Sequence, residues 1–133
     1  MTSTVIYKGE LRTAATHLKS GTLIETDAPT DNQGQGARFS PSDLVATALA
    51  SCMATIMGIY ARTHGINIEG ARMEVEKIMT PPPRRIGEIK VDLYFPETGN
   101  YEQKQRTALQ HAALTCPVYL SLHPDIKKTV TFH

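Results

Sequence analysis

The stretch from Leu44 to Tyr60 decides most of what this chain can become. It follows Ser40-Pro41-Ser42-Asp43, in which Ser40 can cap a helix and Pro41 suits the first helical position. Asp43 comes three residues after the cap, where its charge lies near the positive end of the helix dipole. The spacing predicts a long helix from Pro41 to about His64, stopped by Gly65. Leu44, Val45, Ala48, Leu49, Cys52, Met53, Ile56, Met57, Ile59 and Tyr60 make it apolar on most faces, so it must be covered on several sides. In 133 residues, enough for a single domain spanning 1–133, one layer of sheet cannot easily cover it. A second copy of the chain is expected to supply part of the wrapping.

Strand-like segments lie on either side. Thr4 to Arg12 and Thr13 to Thr26 place β-branched and apolar residues between turn residues at Lys8-Gly9-Glu10 and Lys19-Ser20-Gly21, which reads as a small antiparallel meander. Asp27 to Phe39 is too polar and glycine-rich to be an element and reads as a loop. Ile66 to Met79 and Arg85 to Phe95 alternate apolar and charged residues as half-buried strands, joined by the extended connector Pro81-Pro82-Pro83. A helix from about Tyr101 to Ala113 and a short one restarted by Pro117 precede a closing strand, Ile126 to Phe132. The order predicts an α+β fold with helices packed on antiparallel sheet.

Fourteen basic and thirteen acidic residues give a formal charge of +1, so no bulk field would hold the protein on nucleic acid or anionic lipid. The amino terminus lacks the pattern of a secretory signal, and no apolar run reaches the roughly 18 residues of a membrane span, because Thr47, Ser51 and Thr55 interrupt the richest region. The expectation is a cytoplasmic protein with no nucleic-acid or membrane partner. His17, His64, His111, His123 and His133 show no metal-ligand spacing, and Gly34 and Gly36 do not lead through Lys-Ser/Thr into a helix, so neither a metal nor a nucleotide cofactor is expected.

The remaining chemistry is sulfur. Cys52 and Cys116 lie in no CxxC pair, which argues against a zinc knuckle or a thioredoxin motif. Cys52, on a helical stripe with Ala48, Leu49, Met53, Ile56 and Tyr60, reads first as a buried small hydrophobe. Thr115-Cys116-Pro117 puts the second sulfur at a helix cap, where free backbone N–H groups favour thiolate. Two inert core thiols and a reactive pair both remain open on the residues alone.

Two segments taken together resemble one family, the osmotically inducible protein C and organic hydroperoxide resistance proteins (OsmC/Ohr). They are Phe39-Ser40-Pro41-Ser42-Asp43-Leu44 with Ala48 to Cys52, and Thr115-Cys116-Pro117-Val118. The likeness extends over essentially the whole chain and points to the broad OsmC-like branch. It implies an intertwined homodimer, with antiparallel sheets wrapped around long central helices and two active sites at the interface. It implies a thiol peroxidase acting on organic hydroperoxides in oxidative-stress defence. Cys52 would attack the peroxide and become a sulfenic acid. Cys116 would close a disulfide, and a dithiol such as a lipoylated protein would reduce it, with no cofactor.

The family also uses an arginine from the first strands and a glutamate directly after the helix-start proline. Arg12 matches the arginine, but Ser42 stands in the glutamate's place. The nearest carboxylate, Asp43, is one position late, roughly 13 Å from Cys52 along the helix and turned by about 100°, so it cannot simply inherit the role. The expectation is an arginine without its carboxylate partner, with Asp43 helping only across the dimer or through Arg12. Met53, Met57 and Tyr60 could line an apolar substrate pocket at the dimer seam. The alternative is a non-enzymatic dimer that binds an apolar ligand in the same cleft or senses redox state.

Overall fold

The computed structural model describes residues 1–133 and divides into two compact units, Met1–Val45 and Ala46–His133. The first unit is built on tight turns. Strands β1 (Ser3–Gly9), β2 (Arg12–His17) and β3 (Leu23–Asp27) form an antiparallel meander in that order. Gly9 pairs with Arg12, so Glu10 and Leu11 both take positive φ (52° and 62°), the mirror-image turn that matches strand twist. At non-glycine residues this conformation costs about 1–2 kcal/mol each, a local expense of reversing the chain in two residues. The hairpin around Lys19–Ser20 sets Arg12 opposite Asp27 and Thr13 opposite Thr26. Asp27 thus belongs to β3 rather than to the loop, which starts one residue later and contains a short 3-10 turn at Thr30–Asn32.

Helix α1 (Pro41–Thr63) starts where the sequence places it. Asp43 Oδ2 accepts the Ser40 N–H at 2.8 Å and Ser40 Oγ accepts the Asp43 N–H at 3.1 Å, a reciprocal cap that satisfies two donors at once. The helix ends with Gly65 at positive φ (67°) and the Ile66 N–H donating to the Ala61 carbonyl at 2.8 Å.

In the second unit, Leu49, Met53 and Met57 of α1 are fully buried with Ile89, Val91, Leu93, Leu109 and Ala113. Each large side chain so removed from water contributes roughly 1.5–3 kcal/mol of transfer free energy. Val45 and Ile59 of the same helix stay exposed. Length and apolar character alone would let α1 cross a membrane, but its buried stripe at Ala46, Leu49, Ala50, Met53, Met57 and Ala61 is that of a core helix. Strands β4 (Arg72–Met79) and β5 (Ile86–Tyr94) pair antiparallel. Residues 66–71, expected to open the first of them, form a turn region with Gly70 at positive φ instead.

Helices α2 (Gln103–Leu114) and α3 (Pro117–Ser121) carry the chain back, so β6 (Lys127–Phe132) adds to β5 in parallel. The expectation of purely antiparallel sheet is corrected here. A helical crossover returns the chain to the end from which β5 started, and the next strand then runs in the same direction. The fold is α+β, with two three-stranded sheets.

Candidate active site

The helical turn that buries Leu49 and Met53 leaves Cys52 at the edge of the stripe, half-buried, packed against the core beside Ile56. Cys116 is wholly buried at the N-cap of α3, where its sulfur accepts the Tyr119 N–H at 3.3 Å and Pro117 occupies the first turn. Both cysteines are free thiols. Their side chains are in hydrogen-bonding contact, so α1 and the cap of α3 bring together the two sulfurs that the sequence sets far apart. A disulfide needs the sulfurs about 2.05 Å apart, a short approach from such a contact.

The cap does not make Cys116 acidic. Burial pushes its thiol above the ordinary value, the Tyr119 N–H pulls the other way, and the neighbouring Cys52 adds to the rise. Helix-end donors are therefore present as expected, but desolvation outweighs them. Of the pair, Cys52 is the one solvent can reach.

In the first unit, the guanidinium of Arg12 forms two parallel bonds to Asp27, Nε to Oδ1 at 2.7 Å and Nη2 to Oδ2 at 2.9 Å. This corrects the expectation that Arg12 lacks a carboxylate. Its partner comes from β3, not from the start of α1, where Asp43 is engaged in the cap. Asp27 is 1% exposed and also accepts the Ala37 N–H at 3.0 Å. The bonds from Arg12 hold its carboxyl below the usual range against the opposing effect of burial, with help from Ala37 N–H and Arg38. Arg12 is raised in turn, first by the same bonds.

Sequence reading missed Asp27 because its residue type fits a loop, although the turn at Lys19–Ser20 already implies the register that pairs it with Arg12. Met53 and Met57 are core residues with no exposed surface. Tyr60 is half-buried and, with His64, Ile66, Lys104, Gln105 and Ala108, lines a cavity of about 220 Å³. A neighbouring cavity of about 280 Å³ is more polar, walled by residues including Asn67, Asn100 and Tyr101. His64 is tied to the Tyr60 carbonyl through Nδ1 at 2.8 Å and stacks on its ring, an ordinary helix-end arrangement.

Comparison with known proteins supplies the context for this pair of thiols. The profile of the OsmC-like protein family matches residues 34–131. A crystal structure from Psychrobacter arcticus, of a protein described as an osmotic-stress-induced and detoxification-response protein, is 50% identical. It covers all of this chain and 96% of its own, with a TM-score of 0.95. An organic hydroperoxide resistance protein of Legionella pneumophila shares the fold at 18% identity, over 99% of this chain and 96% of that one, with a TM-score of 0.73. One from Vibrio cholerae, with captopril bound in one of its active sites, does so at 15% identity, over 99% and 91%, with a TM-score of 0.75. No curated protein matches the sequence.

Proposed function

The chain belongs to the family of OsmC-like proteins, and from that premise we propose that it is a cytoplasmic, homodimeric thiol peroxidase that reduces organic hydroperoxides to alcohols. The observation that carries this reading is the contact between a reachable Cys52 and a buried Cys116, both free thiols, at the edge of an apolar core.

The Cys52 thiolate attacks the distal oxygen of the hydroperoxide. The O–O bond breaks, the alkoxide takes a proton and leaves as an alcohol, and Cys52 is oxidised to a sulfenic acid. The Cys116 sulfur then attacks the Cys52 sulfur; its proton and the sulfenic hydroxyl leave as water, and a Cys52–Cys116 disulfide forms. A dithiol such as a protein-bound dihydrolipoamide returns both to thiols and is itself oxidised. The division of labour follows from burial: a peroxide cannot reach a sulfur with no exposed surface, and a thiol whose pKa is raised is a poor first nucleophile.

In this reading Arg12 keeps the role that the family resemblance implies, polarising the peroxide, and Tyr60 borders the substrate pocket. Asp43 is left to the helix cap. The dimer accounts for the apolar residues that one copy leaves open, Val5, Tyr7, Ile24 and Ile59 among them.

The test is turnover of cumene hydroperoxide with a dithiol reductant. The expected result is that Cys52→Ser loses at least about 1,000-fold, because it removes the nucleophile, while Cys116→Ser still consumes about one equivalent of peroxide and then stalls as a sulfenic acid. Full activity in Cys52→Ser, or an inert wild type that binds hydroperoxide unchanged, would replace the peroxidase by an apolar-ligand binder.

A further inference from the structure

Within the second unit, two observations fix how α1 and α2 lie against each other. At one end Cys52 of α1 is in contact with Cys116, just past the end of α2. At the other, Tyr60 and His64 line the cavity of about 220 Å³ together with Lys104 and Ala108. The same number of residues separates Cys52 from His64 as Lys104 from Cys116, so the two helices run antiparallel in one register. Residues four apart share a helix face, and steps of four from the thiols set Ile56 beside Ala112 and then Tyr60 beside Ala108. These four residues are all half-buried. The side chains from α1 are large and those from α2 are alanines, which leaves an apolar trough between the cavity and the thiols, along about 18 Å of helix.

Charge is confined to the far end of this trough. A carbonyl oxygen only accepts, so His64 Nδ1 donates to the Tyr60 carbonyl and that nitrogen is committed to the helix end. Lys104 is exposed and makes no ion pair. An unpaired ammonium at an apolar cavity, joined by hydrocarbon surface to a reachable sulfur, is complementary to a molecule with an anionic head and an apolar chain.

We propose that Lys104 is a specificity-determining residue, its ammonium binding the carboxylate of a hydroperoxide whose apolar chain lies along the α1–α2 trough and carries the peroxide to Cys52. This rests on the peroxidase reading above and adds the group that selects the substrate's head. Side chains lean toward the start of their own helix, so Cys52 leans away from the cavity and Lys104 leans away from the thiols. Both leans lengthen the span, and the site selects a peroxide far along the chain from its carboxylate.

The experiment measures kcat/KM with a dithiol reductant at low ionic strength for linoleic acid hydroperoxide oxidised at carbon thirteen, the isomer oxidised at carbon nine, and the methyl ester of the first, all below micelle-forming concentrations. Wild type, Lys104→Ala and Lys104→Arg are compared, and wild type is also given cumene hydroperoxide. Wild type is expected to prefer the acid to its ester about 3- to 10-fold, the range of a partly exposed ion pair, and to prefer carbon thirteen to carbon nine. The acid-to-ester ratio should fall to about one in Lys104→Ala through a higher KM for the acid, persist in Lys104→Arg, and shrink in wild type as salt is added. Equal rates on acid and ester in wild type, or a preference that survives in Lys104→Ala, would overturn the assignment and leave the peroxidase standing. A wild type inert toward cumene hydroperoxide would overturn the peroxidase reading and this assignment with it.

Discussion

The two units of this chain solve the problem of stability in opposite ways. Residues 46–133 hold every buried apolar side chain of the molecule, from Ala46 to Cys116. In residues 1–45 the buried residues are Thr26, Asp27 and Ser40, all polar, while Val5, Ile6, Tyr7, Leu23 and Ile24 of the meander are exposed. The strand register puts Val5 and Ile24 on one face and Ile6 and Leu23 on the other, so both faces of a three-stranded sheet are apolar and open. A sheet of this size needs a covered face to be stable, and a second copy of the chain provides one in the proposed dimer. One unit thus carries its own core and the thiols, whereas the other carries a fixed charge pair on an open scaffold that the proposed dimer would complete.

The sharpest way to break this comparison is to charge the open face. Val5→Asp with Ile24→Asp should convert the dimer to monomer at micromolar concentration, because an unpaired charge taken out of water costs several kcal/mol. Sedimentation or native mass spectrometry reads the outcome, and a variant that keeps the wild-type mass would mean that the face is not covered. Next in size, Leu49→Ala should destabilise the chain by about 2–5 kcal/mol in urea unfolding, as expected for a fully buried leucine. Ser40→Ala removes the acceptor of the Asp43 N–H and should cost about 0.5–2 kcal/mol in the same assay.

The smallest effect belongs to the charge pair. The Asp27 carboxyl is held below its ordinary value, so its stabilising contribution is present above the unfolded-state pKa. It is lost as pH falls through the lower folded-state value. Urea midpoints followed into acid should show this loss in wild type and a flatter acid limb in Asp27→Asn. Equal acid slopes would mean that the pair adds nothing to stability.

Local chemistry made part of the molecule legible. The cap at Ser40 and Asp43, the stop at Gly65 and the helix restart at Pro117 follow from residue types a few positions apart, and each is found. The parallel direction of β6 was not readable from alternation, because a strand carries the same pattern either way and the α2–α3 crossover decides. The direction of the Cys116 shift was hidden for a similar reason, since a helix cap is visible in Thr-Cys-Pro but the burial that outweighs it is not. Asp27 stood between these cases, because its place opposite Arg12 follows from the turn at Lys19–Ser20 once the hairpin register is written out.

The measurement that bears most directly on the account is rapid-quench intact mass of the fully reduced protein after one equivalent of cumene hydroperoxide. The account predicts fast loss of two hydrogens per chain, with Cys52 and Cys116 recovered as one disulfide, and no such loss in Cys52→Ser. Both thiols still free after peroxide has been mixed in excess would contradict it.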